Sequence, residues 1–461
     1  MAEPFNSANR SATARNVAGF FFPQRLFLKI DEHNYSPTVL YRILSAASEV
    51  KSHGKAAKLL KKLCDLSISG RHVNRLSEEI GLEMEAKRDR AVEDYVHHRR
   101  KKSKSKAPQV VAIGLDGGRM QTRAPGQGPG VHEQGWKEDK VSCLLTMEGK
   151  TFAEDPHPEP PKCFTDAPKV DEMVREIQAN HGTRQENELP QLAELSLGKQ
   201  SKSASSSNST SSSASRSEEE AEASPERAWP PKRTKDSRSC VATMQDCHAF
   251  GKMVAAEAHR RNFHSAERGA LLGDGGAWIW TQHQKWFRYL TPIADFVHPL
   301  TYLYVVATVL SANVQDRWQM YVGWMTQCWQ GQVKEVIAAM QARLSQMEPV
   351  GDKEKLSPTD PREMLRRTIG YLQNNEDRMN YPEYRKAGLP VTSSMVESLI
   401  KDFNYRVKGT EKFWDNPKGA EAILQLRAAV LSDEDLLRVH LESRPGCATR
   451  RPATPQYAQA T

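Results

Sequence analysis

The chain has 461 residues, a formal net charge of +8 at neutral pH and a mean hydropathy of −0.66. This length allows two or three domains with a core large enough to fold alone. The seven cysteines are scattered and include no CxxC pair, which argues against a disulfide framework or a structural zinc site. The positive net charge is compatible with an anionic partner but does not require one. The apolar runs are too short to span a bilayer.

The first part of the sequence predicts an arm followed by a helical region. Residues 1–36 are expected to form a flexible arm. Over 37–107, apolar side chains recur at helical spacing, as in KAAKLLKKLC and GRHVNRLSEEIGLEM, and Ser69 is a candidate N-cap. We expect a helix-turn-helix-like unit with a basic linker, although a simple helical packing module is the alternative. The residues expected to face DNA are Arg71, His72, Asn74 and Arg75.

Further along, β-branched and apolar runs predict a mixed α/β domain. Strands are expected at 110–115, 140–147, 240–244 and 270–273 and within 290–298, with a helix between the third and fourth strands. The domain is expected to comprise residues 108–152, 229–300 and 391–445, and a helical insertion is expected over 301–390.

Two segments are expected to lack a fixed structure. Residues 153–228 are rich in proline, then serine, then acidic side chains, and such a composition buries too little apolar surface to offset its ordering entropy. We expect this segment to be a mostly disordered connection between two hairpin strands, where a long insertion is tolerated. Residues 446–461 are expected to form a flexible tail.

Three acidic residues are the strongest functional candidates. Asp116 and Asp274 each follow an apolar run and precede two glycines, and Glu397 opens a helix-like stretch, SSMVESLIKDFNYRVKG. Singly, turn chemistry explains the aspartates and a capping box explains the glutamate. Together, two strand-end aspartates and a helical glutamate can bind two Mg²⁺ (or Mn²⁺) ions that cut and join phosphodiester bonds.

Other residues are expected to support that site. Asp295 and His298 follow the fifth strand and are candidates for orienting a metal ligand or a phosphate, with simple packing as the alternative for the histidine. Asp246 is expected to be a helix N-cap. Basic residues interleaved with aromatics after Glu397 favour DNA contact, although an amphipathic helix with a solvated loop also explains them. These DNA-binding candidates are Lys401, Arg406, Lys408, Lys412 and Trp414.

Several stretches resemble a known family. GLDGGRMQTR, CVATMQDCHAFGKMVAAEAHRR, LGDGGAWIW and GLPVTSSMVESLIKDFNYRVKGTEKFW are similar to bacterial insertion-sequence transposases of the Kra group. The similarity covers about 108–150 and 229–447. It implies a ribonuclease-H-like mixed sheet with a helical insertion, and a DDE triad of Asp116, Asp274 and Glu397.

The resemblance also implies an activity and partners. We expect a DNA transposase that acts on double-stranded DNA, both element ends and target. It is expected to form a homo-oligomer in its DNA complex and to be cytoplasmic, nucleoid-associated when bound to DNA. The sequence contains no phosphate-binding loop, so no nucleotide cofactor is expected. The alternatives are a ribonuclease-H-like nuclease or resolvase, and a catalytically idle DNA-binding protein derived from a transposase.

Overall fold

The computed structural model describes residues 23–99, 106–122, 135–180, 229–348, 356–392, 394–407, 414 and 417–447. At positions 179–180, 394–397 and 400, which lie in helices, the description covers the backbone and not the side chain. None of the helices in these ranges has the length and apolar character needed to cross a membrane.

A five-stranded mixed sheet forms the centre of the fold. Its strands, in chain order, are β1 Val110–Thr122, β2 Gly135–Glu148, β3 Lys232–Thr243, β4 Arg268–Gly273 and β5 Thr291–Ala294. They lie side by side in the order β3-β2-β1-β4-β5. β1 pairs antiparallel with β2, and β2 with β3, whereas β1 pairs parallel with β4, and β4 with β5. The expected mixed α/β class and the five expected strands are confirmed.

Helices precede, interrupt and follow the sheet. Those before it are α1 Pro23–Phe27, α2 Pro37–Glu49, α3 His53–Cys64 and α4 Gly70–Val96. Those between its strands are α5 Ala167–Asn180, α6 Cys247–Arg260 and α7 Ala277–Trp286. Those after it are α8 Val297–Leu310, α9 Val314–Trp329, α10 Val333–Ser345, α11 Pro361–Asn375, α12 Tyr381–Lys386, α13 Ser394–Val407, α14 Pro417–Leu431 and α15 Leu436–Ser443.

Each face of the sheet packs against a different set of helices. Because successive side chains of a strand point to opposite faces, β1 contributes to two cores. Ala112 belongs to a core that also contains Leu399 of α13 and Leu424 of α14. Ile113 belongs to a second core, with Phe250 of α6. The parallel part of the sheet is therefore covered on both faces, as is usual for parallel strands.

Strand β1 is longer than the sequence predicts. The turn-forming residues Gly117 and Gly118 predict an end at 115. In the structure the ladder with β2 continues to the pair Thr122–Gly135. Asp116 therefore lies within β1 and not after it, because cross-strand pairing outweighs the local turn preference.

The expectation of disorder over 153–228 is corrected for residues 153–180. A short 3₁₀ helix at Lys162–Phe164 and helix α5 lie in this part. Phe164, Val170 and Val174 are buried in the core that contains α13. These three side chains bury apolar surface in the core. The sequence-based expectation missed them because it used the average composition of the whole segment. Residues 181–228 lie outside the described ranges.

The proposed flexible arm and tail also need correction where they are described. Asp31 is only 5% exposed. The Arg25 guanidinium donates to the Cys447 carbonyl at 3.1 Å, and the Cys447 N–H donates to the Ile30 carbonyl at 2.8 Å. Residues 23–36 and 446–447 thus pack against each other. The remainder of the expected arm, 1–22, and of the tail, 448–461, lies outside the described residues.

Candidate active site

Two of the three candidate acids lie just beyond the same end of the parallel ladder that joins β1 and β4. The parallel ladder of β1 and β4 has Gly114 and Leu272 as its last pair. Asp116 and Asp274 each follow that pair by two residues, and adjacent strands are separated by about 4.8 Å. Asp116 remains in the ladder of β1 with β2, opposite Val141, and Asp274 comes directly after β4. The fold therefore brings together two aspartates that are 158 residues apart in the chain.

Backbone amides hold both carboxylates. The Gly117 N–H donates to Asp116 Oδ1 at 2.7 Å, and the Gly276 N–H donates to Asp274 Oδ1 at 2.8 Å. Gly275 adopts a positive φ of 101°, and a Cβ added there would lie 2.7 Å from the ring of Tyr371. The turn after β4 thus requires glycine for both its backbone conformation and its close packing.

Tyr371 of α11 lies near both Asp274 and Asp295. Its hydroxyl donates to the Asp274 carbonyl oxygen at 3.0 Å. Burial raises the pKa of Tyr371 well above its ordinary value, and the charges of Tyr302, Asp274 and Asp295 raise it further. Both aspartates therefore lie in the electrostatic surroundings of this phenol. No sequence signal marks Tyr371, because it lies in the helical insertion at an ordinary amphipathic position.

Asp295 and His298 lie beside the first two acids. Asp295 is completely buried, its N–H donates to the Gly273 carbonyl at 2.9 Å, and its Oδ1 accepts from the Val297 N–H at 3.1 Å. The His298 N–H donates to the Asp295 carbonyl at 3.1 Å, and the side chain is half-buried. Asp295 thus ties the end of β5 to the end of β4 and supports the start of α8. Its role towards a metal or phosphate stays a prediction.

Trp278 of α7 lies beside Gly117 and Gly276, the glycines whose N–H groups donate to the two aspartates. A Cβ added to Gly117 would lie 3.9 Å from Cζ2 of Trp278, and one added to Gly276 would lie 3.2 Å from its Nε1. Glycines at these positions would leave room for a phosphate. Part of that room is filled by the indole ring, whose position near the candidate acids is not apparent from the sequence.

The third candidate acid lies on a helix that packs against the same sheet. Glu397 is in the first turn of α13, and its side chain lies outside the described residues. α13 contacts β1 and β2. Leu399 and Phe403 of α13 share a core with Ala112 of β1 and Leu272 of β4. By strand alternation, Asp116 lies on the face of β1 that contains Ala112, so it lies on the face that α13 covers.

The described acids of the candidate active site do not form a complete metal-binding cluster by themselves. In the described part of the chain, three ligand atoms of His, Cys, Asp or Glu come within 4.8 Å of one another in one group, Glu32, His33 and Glu79. Asp116, Asp274 and Asp295 therefore do not make a three-ligand site by themselves. Whether Glu397 completes a site with Asp116 and Asp274 stays a prediction.

Arg406 and Trp414 are structural residues, which corrects their assignment as DNA contacts. Arg406 is 1% exposed, donates to the Ala47 carbonyl at 2.6 Å and lies 3.1 Å from Nε2 of His53. Trp414 is 9% exposed, and its indole N–H donates to the Val407 carbonyl at 3.0 Å. The guanidinium of Arg406 lies over the Trp414 ring at 5.4 Å. Neither side chain is available to phosphates or bases.

The other candidates after Glu397 have different outcomes. Lys401 is exposed, and its ammonium forms an ion pair with Glu176 of α5 at 2.6 Å. Lys408 and Lys412 lie outside the described residues. Of the described residues in this basic and aromatic pattern, Lys401 is on the surface, whereas Arg406 and Trp414 are buried.

The N-terminal candidates lie in the first turns of α4. Ser69 caps this helix by accepting from the His72 N–H at 3.2 Å, as predicted. Arg71 and Arg75 are exposed, and Arg75 lies 2.8 Å from Nδ1 of His72. The Asn74 amide donates to Glu78 at 3.2 Å and is partly buried. The two arginines are thus on the surface, whereas Asn74 is engaged within its own helix.

Helix α3 carries a more uniform basic surface than α4. Its exposed lysines are Lys55, Lys58, Lys61 and Lys62. The residues from Lys51 to Cys64 include no acidic side chain. Lys51, just before α3, lies over the exposed Tyr405 ring of α13 at 5.0 Å. The basic face of α3 therefore adjoins the helix that contains Glu397.

Comparison of the sequence with protein-family models and with curated proteins finds no match in either case.

Proposed function

We propose that the chain is a metal-dependent DNA transposase of the DDE type, with Asp116, Asp274 and Glu397 as its catalytic carboxylates. The observation that carries the proposal is the placement of Asp116 and Asp274 just beyond the same end of the parallel ladder of β1 and β4. The strand order β3-β2-β1-β4-β5 is compatible with a ribonuclease-H-like core. The contact of α13 with this sheet adds support, since Glu397 lies in that helix.

The donor set suits Mg²⁺ or Mn²⁺. Both ions prefer oxygen ligands, and the two aspartates offer carboxylates held in place by backbone amides. When bound, a pair of such ions would activate an attacking water or 3′-hydroxyl and neutralise charge on the leaving oxygen. Asp116, Asp274 and Glu397 would hold the ions, and Tyr371 and Asp295 would fix the end of β4 from which Asp274 extends.

The basic surface supports DNA as the substrate. Phosphate contacts from lysine and arginine supply much of the affinity of proteins for DNA. The exposed lysines of α3 and the exposed Arg71 and Arg75 of α4 lie in the same helical unit. Lys51, just before α3, contacts Tyr405 of α13, the helix that contains Glu397.

A strand-transfer assay tests the proposal. Purified protein would be incubated with Mg²⁺ or Mn²⁺ and a supercoiled plasmid that carries the genomic DNA flanking its coding region. We expect cleavage at both borders and joining of the released 3′-ends to target DNA. Cleavage without joining would instead favour a nuclease or resolvase. Binding without either reaction would favour a DNA-binding protein that has lost catalysis.

A further inference from the structure

A second group of metal-ligating side chains lies far from the candidate carboxylates in the chain, where residues 31–35 pack against α4. Nε2 of His33 is 2.9 Å from Oε2 of Glu79 and 3.7 Å from Oε1 of Glu32. One ligand atom from each of the three residues lies within 4.8 Å of the other two. The His33 side chain is 6% exposed, whereas those of Glu32 and Glu79 are 36% and 28% exposed. The imidazole is thus at the inner end of a site that is open to solvent on its carboxylate side.

Asp31, which precedes Glu32 in the chain, has a buried carboxylate oxygen without a hydrogen-bond partner in the described part of the chain. Asp31 is 5% exposed, and its Oδ1 accepts from the N–H groups of His33 at 3.0 Å and Tyr35 at 2.7 Å. Its Oδ2 is buried and has no hydrogen-bond partner among the described residues. An unpaired buried carboxylate oxygen is costly, so a cation beside it would be stabilising.

The surroundings of Glu79 orient it as a ligand. Its Oε2 faces His33, whereas its Oε1 lies 3.5 Å from the guanidinium of Arg444. Arg444 is itself held by Glu83 through two hydrogen bonds of 2.8 Å. Groups that hold the far side of a ligand in this way fix its direction towards a bound ion.

We infer that Glu32, His33 and Glu79 bind one divalent transition-metal ion, close to the buried carboxyl group of Asp31, which accepts from the His33 N–H. One imidazole and two carboxylates form a donor set that suits Zn²⁺ or Mn²⁺, whereas Mg²⁺ prefers oxygen ligands alone. The ion would fasten the segment before α2 to α4. The site does not depend on the catalytic role of Asp116 and Asp274.

Titration of chelator-treated full-length protein with Zn²⁺, followed by calorimetry, tests the inference. We expect His33→Gln and Glu79→Gln each to lose one equivalent of bound Zn²⁺. The loss of affinity should exceed the roughly 10–100-fold typical for removal of an outer-shell partner. Co²⁺ in place of Zn²⁺ should give visible absorption bands in the wild type that these two variants lack. Mg²⁺ should not compete at this site.

Three further variants make the test decisive. Glu32→Gln changes a side chain at the solvent-facing edge, so weaker Zn²⁺ binding by this variant cannot be ascribed to misfolding. Glu78→Gln removes a charge one residue away on α4, outside the cluster, and should bind Zn²⁺ like the wild type. Asp116→Asn should also retain the equivalent, which separates this site from the candidate active site. Unchanged binding in Glu32→Gln, His33→Gln and Glu79→Gln, or no binding by the wild type, would overturn the inference and leave a His33–Glu79 ion pair.

Discussion

The parallel pairing of β1 with β4 brings Asp116 and Asp274 together. β1 and β4 pair in parallel up to Gly114 and Leu272, and the next residues of both strands carry the aspartates towards one edge of the sheet. The backbone amides of Gly117 and Gly276 then fix one oxygen of each carboxylate. Replacement of either aspartate by asparagine should therefore preserve the local structure and change the charge.

The first prediction concerns this charge. Asp116→Asn and Asp274→Asn should each reduce DNA cleavage and joining by at least about 100-fold, because each removes a negatively charged metal ligand. DNA binding, measured by fluorescence anisotropy, should stay within about twofold of the wild type. Asp246→Asn is the matched control: Asp246 caps α6 by accepting from the N–H groups of His248 and Ala249, and asparagine caps equally well. Wild-type turnover by Asp116→Asn would contradict the assignment.

The second prediction concerns Arg406. Burial, and then the charge of Arg427, lowers the pKa of Arg406 to about 10, so the side chain is still charged at neutral pH. Its hydrogen bond to the Ala47 carbonyl joins α13 to the end of α2. Arg406→Gln should cost about 1.5–3 kcal/mol of unfolding free energy in urea, because it removes a buried charge-assisted hydrogen bond. The salt dependence of DNA affinity should not change, and a flatter dependence in the folded variant would restore Arg406 as a phosphate contact.

Sequence reasoning placed Asp116 and Asp274 in the fold more accurately than Arg406 and Trp414. Asp274 lies directly after β4 as predicted, whereas Asp116 lies within β1, which extends beyond the predicted strand end. The alternation of basic and aromatic residues in NYRVKGTEKFW, by contrast, does not reveal which side faces the core. Arg406 and Trp414 are buried because α13 packs against α2 and β1, and these contacts come from residues more than 250 positions away.

At the scale of elements, helix α3 is the strongest candidate for a DNA-binding surface, and it is the subject of the third prediction. Lys55, Lys58 and Lys62 recur at helical spacing and are all exposed. If each neutralises one phosphate, changing the three to alanine should reduce the slope of log affinity against log salt by about 0.7–0.9 for every lysine removed. The effect should be the same for any DNA sequence. Lys334→Ala, in an exposed lysine of α10, is the control.

The fourth prediction concerns the described part of the segment for which the sequence predicts disorder. Asp155 forms an ion pair with Arg385, which is completely buried and stacks on Trp329 at 4.2 Å. Asp155→Asn should cost about 3 kcal/mol at neutral pH, because it leaves a buried guanidinium without its counter-charge. Glu383→Gln removes an exposed partner of Lys386 and should cost less than about 1 kcal/mol.

The pH dependence of this effect has a defined sign. Burial alone would raise the pKa of Asp155, but hydrogen bonds from Arg385 and the His157 N–H lower it below its ordinary value. The stability from this pair is therefore fully present above the unfolded-state pKa of about 3.9 and is lost as the pH falls through the lower folded-state pKa. The difference in unfolding free energy between wild type and Asp155→Asn should be constant above about pH 5 and shrink below about pH 4. A difference that did not depend on pH would exclude the ion pair as its cause.

The existence of the strands was predictable, whereas their length was not. Apolar runs such as VVAIGL and ALLG mark β1 and β4 because buried strands need continuous apolar side chains. The extension of β1 to Thr122 depends on its pairing with β2 as far as Gly135, a partner that the local sequence of β1 does not encode. Boundaries set by partners are therefore missed by reasoning from one segment at a time.

At the scale of the whole molecule, the fold is closed by segments that are distant in sequence. β2 and β3 are hydrogen-bonded neighbours, yet the chain between them contains α5 and residues 181–228. α5 packs its buried Val170 and Val174 into the core that also holds α8 and α13. Trp229, at the return of the chain, donates from its indole N–H to the Leu389 carbonyl at 3.0 Å. Among the described residues, this connection thus packs against the core at α5 and again at Trp229.

The last prediction separates the two parts of this connection. In the first variant, a Gly/Ser linker of about 15 residues, with a root-mean-square span of about 20 Å, replaces residues 181–228. Its unfolding free energy should stay within about 1 kcal/mol of the wild type, because the entropy of loop closure changes only slowly with loop length. Replacement of 165–228 by the same linker also removes the buried Val170, Val174 and Ile177. At about 1.5–3 kcal/mol for each aliphatic side chain, this deletion should cost about 4 kcal/mol or more. Denaturant unfolding followed by far-ultraviolet circular dichroism measures both effects. Equal stability of the two deletions would show that α5 is dispensable, and unfolding of the shorter deletion would show that residues 181–228 contribute to the core.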